Sequence, residues 1–145
     1  MIKHRMVSGH NPEAGEYGDC LRTCIACLID APSVESVPHF AALHYGNVNE
    51  MWRQVRLWLM DEHNLSLWFV PYATDDWQQV TETCNALNPG MFYMLQGMSP
   101  GGDHIVICQG DRIVHDPSQG GGGLIGPGST GVFMVVLLVS DGLVA

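Results

Sequence analysis

The spacing of apolar residues changes character near residue 90. Before it they recur at helical intervals; after it they fall in short strand-like runs separated by glycine-bearing turns. The segment up to Gly18 carries Gly9, Pro12 and Gly15 and reads as loop. Asp19 then stands where a helix N-cap belongs, and Leu21, Cys24, Ile25 and Leu28 form the buried stripe of a helix over residues 20–30. Ala31-Pro32 should end it, because the residue before proline disfavours helical geometry. A loop containing Val37, Pro38, His39 and Phe40 follows. Asn49 can cap a second helix over 50–63, with Met51, Val55, Trp58 and Leu59 on one stripe. Residues 65–70 (LSLWFV) read as a strand stopped by Pro71. Thr74 is positioned to cap a third helix to residue 86, with Asp75 and Asp76 favourable in its first turn. Beyond the turn Asn88-Pro89-Gly90, the runs 91–96, 104–109, 112–115 and 132–139 read as four strands, the middle two joined by the tight turn Gln109-Gly110-Asp111-Arg112. Helices first and an antiparallel sheet second make an α+β layout with a four-stranded sheet.

Composition narrows the function. At 145 residues the chain suits a single domain, 1–145, with a core that needs no metal or disulfide support. Six basic residues against fifteen acidic ones, a net charge of −9, argue against nucleic acid as a partner, because phosphate binding needs a clustered positive surface. They speak equally against an anionic membrane surface. The longest apolar run, 132–139, has eight residues, far short of the roughly 18–20 of a membrane span. The opening MIKHRMVSGHNPE lacks the apolar stretch of a secretory signal. Five cysteines is an odd number, three of them crowd into residues 20–27, and thiols so placed are expected to be reduced, in a cytoplasmic setting.

Three positions can carry chemistry together. Cys20 starts the first helix, where the positive helix end favours a thiolate. His104 is expected to open a strand after the loop 99–103, where an imidazole can face a cleft. Asp116 follows the next strand in Ile113-Val114-His115-Asp116-Pro117, one hairpin away from His104. Nucleophile, imidazole and orienting carboxylate are then all available.

The stretches GDCLRTCIACLID and DHIVICQGDRIVHDP, in that order, resemble the papain-like cysteine peptidase superfamily. The closest likeness is to its small bacterial members of the bacteriocin-leader (double-glycine) peptidase type. The layout also resembles that of small phage-encoded proteins. The resemblance implies a papain-like core in which a cysteine-bearing helix packs on the antiparallel sheet. It implies Cys20 as nucleophile, His104 as general base and Asp116 as the orienting residue. The reaction implied is hydrolysis of a peptide or isopeptide bond through a thioester, on a protein or peptide substrate, with no cofactor and no metal. One departure stands out. The family glutamine that helps hold the oxyanion, six residues before the cysteine, is Ala14 here. The Cys20 N–H can supply one donor; the second must come from Asn11, the Tyr17 hydroxyl or Gln96. A catalytically inactive binding or inhibitor protein on the same fold is therefore a second reading. A third is a cell-wall amidase of the NlpC/P60 type, a group that often uses a histidine as third member. His115 is accordingly an alternative to Asp116, since neighbouring strand residues face opposite sides, and Asp103 is another.

Cys20, Cys24 and Cys27 also form C-x3-C-x2-C, the spacing of iron–sulfur ligands in radical enzymes. Those enzymes place the cysteines on a loop within a much larger barrel, whereas here the intervening residues are helical. A zinc site with His4 or His10 lacks the usual second pair of ligands. Cys84 and Cys108 lie in apolar runs and read as core. His39 and His44 read as loop packing or as the rim of a cleft. The glycine-rich stretch 120–128 lacks the lysine of a phosphate loop and reads as a mobile surface loop, with a flap near the site as its functional version.

Overall fold

The computed structural model describes residues 1–140 and divides into two compact units, Met1–Trp68 with the chain from Leu138, and Phe69–Leu137.

In the first unit, α1 (Cys20–Leu28) buries Leu21, Cys24, Ile25, Ala26 and Cys27. It ends two residues earlier than the proline suggests. Asp30 takes a left-handed φ of 54°, the Asp30 N–H donates to Cys27 O at 3.3 Å, and the Ala31 N–H donates to Ala26 O at 2.9 Å. That is a Schellman closure with aspartate in the place usually held by glycine. Residues 1–8 are tied to α1 at both ends. The Ile2 N–H reaches Asp30 Oδ1 at 2.9 Å, and His4 donates its backbone N–H to Cys27 Sγ at 3.2 Å and its ring Nε2–H to Ala31 O at 2.7 Å. The Ser8 and Val7 N–H groups donate to the Asp19 carboxylate at 3.2 and 3.4 Å. The segment 37–40, expected as loop, includes one helical turn, α2 (Phe40–Leu43), anchored by buried Phe40. Then α3 (Val48–His63) buries Val55 and Leu59. Its cap is Asn47 rather than Asn49, because Asn47 Oδ1 accepts from the Glu50 N–H at 3.2 Å.

Five strands form one sheet in the order β1-β5-β2-β3-β4 (β1 Leu65–Tyr72, β2 Phe92–Ser99, β3 Gly102–Gln109, β4 Arg112–His115, β5 Phe133–Ser140), one more than expected. The additional member is β1, which continues past Pro71. It lies at the sheet edge, where a residue without an N–H is tolerated. The pairs β2–β3, β2–β5 and β3–β4 are antiparallel. In the second unit, α4 (Trp77–Leu87) is capped by Asp76, whose Oδ1 accepts from the Gln78 N–H at 3.0 Å. Thr74, the expected cap, instead accepts from the Asp76 N–H and donates to Gln79 Oε1. Val80 and Cys84 of α4 pack on Tyr93, Leu95, Val106, Cys108, Phe133 and Val135. Tyr93 is wholly buried and spends its hydroxyl on Gly110 O at 2.8 Å.

The β2–β3 hairpin is tighter than the loop expected over 99–103. Ser99 pairs with Gly102 around a two-residue Pro100-Gly101 turn, and Gly102 takes a φ of 124° that a side chain would resist. His104 is therefore the third residue of its strand rather than the first. No helix among the described residues is long and apolar enough to cross a membrane.

Candidate active site

His104 and Asp116 meet in the second unit. His104 Nε2 lies 2.7 Å from Asp116 Oδ1, and the two side chains are only 8% and 13% exposed. The sheet explains why this aspartate is the partner. Residues opposite each other across antiparallel strands share a face, so the pairing Gly97↔His104 sets His104 on the face of Leu95, Val106 and Cys108. On β4 the register runs Cys108↔Ile113 and then Ile107↔His115, so one extra residue, Val114, is inserted. This β-bulge reverses the facing of the residues after it. His115, level with Ile107, takes the opposite face, and Asp116, the next residue, falls on the face of His104. Without the bulge the two would exchange places.

Asp116 is held from its other side as well. Its Oδ1 also accepts from the Ser118 N–H at 3.0 Å, and its Oδ2 from the Gly123 N–H at 2.8 Å. Burial pushes this carboxyl up, but the His104 hydrogen bond and the two backbone N–H groups outweigh burial and hold it below the ordinary carboxylate range. An ionised carboxylate only accepts, so Nε2 carries the proton and neutral His104 presents Nδ1 as its basic nitrogen.

Asp103 is occupied elsewhere. Its Oδ1 accepts from the Ser129 N–H at 2.8 Å. Gln96 pairs with Ile105, so the pleat sets it on the sheet face away from His104, and those two are not brought together. Gly97, opposite His104, was not singled out by the sequence, yet nothing larger fits: a Cβ there would come within 2.8 Å of both Gly126 O and a Phe133 ring carbon.

In the first unit, Cys20 is half-buried at the first position of α1. Asp19 before it is fully buried and does not cap the helix with its side chain. Its carboxylate turns to the Arg22 Nε at 3.1 Å and to Ser8 and Val7. The carboxylate is thus matched by a guanidinium and does not occupy the helix's own first-turn N–H groups, which leaves the positive helix end directed at Cys20. Asn11 and Tyr17 lie on the loop leading to Cys20. Asn11 is exposed and closes a turn with Glu16 by paired backbone hydrogen bonds of 2.8 and 3.0 Å. The Tyr17 ring lies 4.6 Å from that of Tyr45, and its carbonyl accepts from His39 Nε2 at 2.9 Å. His10 Nδ1 accepts from the Gly18 N–H at 3.1 Å. His39 and His10 therefore shape the turn ahead of α1, which for His39 is the loop packing expected of it.

Cys24, Cys27, Cys84 and Cys108 are all buried and none of the five thiols is in a disulfide. Burial raises the Cys27 thiol and pushes that of Cys108 up to about 12. Among the described residues no three His, Cys, Asp or Glu side chains gather as a metal site would require. The glycine-rich stretch is tied to the sheet at its far end. Leu124 is buried in the core under α4, and Met98 of β2 exchanges hydrogen bonds of 2.8 and 2.7 Å with Gly126 and Ile125. Comparison of the chain with protein-family models, with curated proteins and with solved structures gives no match.

Proposed function

We propose that the protein is a cysteine hydrolase of papain-like design, cleaving a peptide or isopeptide bond with Cys20 as nucleophile and the His104–Asp116 pair as its acid–base partner. The observation that carries this reading is the 2.7 Å contact between two nearly buried side chains, His104 and Asp116, the carboxylate being held ionised by His104 and the Ser118 and Gly123 N–H groups. A pair of that kind is costly to bury and fits an imidazole that must keep one tautomer and accept a proton. The position of Cys20 at a helix N-terminus is a second, separate support.

The chemistry closes without a cofactor. His104 Nδ1 takes the proton of the Cys20 thiol, and the thiolate so formed adds to the substrate carbonyl carbon, forming a C–S bond as the carbonyl electron pair moves to oxygen. Collapse of that oxyanion expels the amine, which takes its proton from the His104 imidazolium. His104 Nδ1 then removes a proton from water, the resulting hydroxide attacks the thioester, and the thiolate leaves with the acid product released. Asp116 stays ionised and holds the ring throughout. The Cys20 N–H and a side chain of the preceding loop, Asn11 or Tyr17, hold the oxyanion. Five reduced thiols fit a cytoplasmic enzyme acting on proteins or peptides. The alanine at position 14 favours one other reading, an inactive binding protein of the same design, because loss of one oxyanion donor costs about 10²–10³ in rate in a serine protease.

The test is thiol mapping with an electrophilic peptide epoxide, followed by mass spectrometry of all five cysteines. Because the other four thiols are buried, the rate at Cys20 decides: the hydrolase reading expects Cys20 to be modified rapidly at neutral pH and His104→Ala to slow it by about tenfold or more. Slow modification of Cys20 at the same rate in the wild type and His104→Ala would establish the binding protein instead.

A further inference from the structure

The loop from Ser118 to Gly131 does more than cover the end of the sheet. Two of its N–H groups, those of Ser118 and Gly123, terminate on the Asp116 carboxylate, one on each oxygen. The loop reaches that position by closing on itself and on the strands. The Gly121 N–H donates to Ser118 Oγ at 3.0 Å, Gly121 and Gly123 take left-handed φ values of 62° and 65°, and Leu124 is buried. Beyond Gly123 the loop is fixed by Met98 of β2 and, through Ser129, by Asp103 of β3, the residue beside His104. Both ends of the hydrogen-bond chain from loop to imidazole are thus pinned to the hairpin that carries His104.

We infer that this loop is a positioning element, in which the N–H groups of Gly123 and Ser118 set the Asp116 carboxylate and, through it, hold His104 in the Nε2–H tautomer. A carboxylate on a short side chain can rotate, and one rotated away from His104 leaves the ring to choose its own tautomer. The Gly123 N–H engages Oδ2, and with Oδ2 so engaged Oδ1 is turned to the ring. The glycine at 123 has two separate uses. Its left-handed φ costs nothing without a Cβ, and its N–H is the donor. Alanine tests the first alone, since nothing lies within 4 Å of where its Cβ would sit. Proline removes the donor and forbids the φ. The positioning role in catalysis rests on the hydrolase reading; the tautomer itself does not.

The experiment is long-range ¹⁵N–¹H NMR of the histidine rings in the wild type, Gly123→Ala and Gly123→Pro. The wild type should show His104 as one tautomer with Nε2 protonated. Gly123→Ala should keep it, and Gly123→Pro should turn it into a mixture, a loss of bias of roughly tenfold or more for one hydrogen bond to a charged group. An unchanged tautomer in folded Gly123→Pro overturns the inference. Should Gly123→Pro not fold, the wild type alone decides. The amide protons of Gly123 and Ser118 must then shift with pH along the same acid titration as the Asp116 carboxyl carbon, and amides that ignore that titration overturn the inference. A tautomer that responds as expected in a protein whose Cys20 shows no special reactivity would leave the loop's role standing and remove the hydrolase.

Discussion

Removing the Asp116 carboxylate should be far more damaging than its place just past a strand end suggests. Asp116→Ala strips the acceptor from several donors at once, among them His104 Nε2 at 2.7 Å, the Gly123 N–H at 2.8 Å and the Ser118 N–H at 3.0 Å. The side chains of the pair are 8% and 13% exposed, so water replaces little of what is lost. Losing hydrogen bonds to a charged acceptor costs about 1.5–3 kcal/mol; the several nearly buried donors left without it argue for the upper end, about 3 kcal/mol. With a urea slope of about 2 kcal/mol/M, that moves the unfolding midpoint down by about 1.5 M. The comparison is Asp103→Ala, which removes one exposed acceptor of one backbone N–H and should cost well under half as much. The pH dependence has a definite sign. The folded carboxyl lies below its unfolded value of about 3.9, held there by the His104 hydrogen bond and the two N–H groups against the opposing effect of burial. Its contribution is therefore complete above about pH 5 and drains away as pH falls from the unfolded pKa through the folded one. Urea denaturation followed by circular dichroism, from pH 7 down to pH 3, should show the gap between wild type and Asp116→Asn narrowing over the acid range. Equal midpoint shifts for Asp116→Ala and Asp103→Ala, or a wild-type–Asp116→Asn gap that ignores pH, would refute the reasoning.

Three further outcomes are expected from the packing. Gly97→Ala should destabilise by about 1–3 kcal/mol, because the contacts its Cβ makes, a backbone oxygen and an aromatic ring at 2.8 Å, cannot move aside cheaply; thermal denaturation measures it. Tyr93→Phe keeps the ring but leaves the buried hydrogen bond to Gly110 O unmade, for a loss of about 1–2 kcal/mol in urea titration. Asp19→Ala should release the chain around Val7 and Ser8, whose N–H groups it holds, while residues 1–4 stay tied to the other end of α1, and should strand Arg22 without its carboxylate. Brief trypsin treatment should then cut after Arg5 in the variant well before it does so in the wild type.

The elements whose signal is local were legible in the sequence. The stripe Leu21, Cys24, Ile25 and Leu28 marked α1, and the turn Gln109-Gly110-Asp111-Arg112 marked the β3–β4 hairpin. What escaped depends on partners distant in the chain. Pro71 ends a central strand but not an edge one, and only the sheet order reveals that β1 is at an edge. Asn47 and Asp76 won the capping positions from Asn49 and Thr74 through side-chain geometry that composition does not encode. The candidate residues His104 and Asp116 were visible as residue types; the choice between Asp116 and His115 was not. It turns on a single inserted residue, Val114, and a bulge in a four-residue strand leaves no mark in the spacing of apolar positions. The glycine-rich stretch reads as mobile in the sequence for a related reason. Glycine's freedom suggests looseness, yet here it lets the backbone bend its N–H groups onto a carboxylate.

A hydrolase of this design requires that His104 activate the Cys20 thiol. The direct measurement is the rate of iodoacetamide alkylation at Cys20 as a function of pH, in the wild type and in His104→Ala, read by mass spectrometry of the Cys20 peptide. Activation requires that Cys20 react readily at pH 6, where an ordinary thiol is almost wholly protonated, and that His104→Ala slow this by about tenfold or more, one pKa unit or more of thiolate stabilisation. Superimposable profiles in the two proteins, both rising only toward the ordinary thiol pKa of about 8.5, would contradict it.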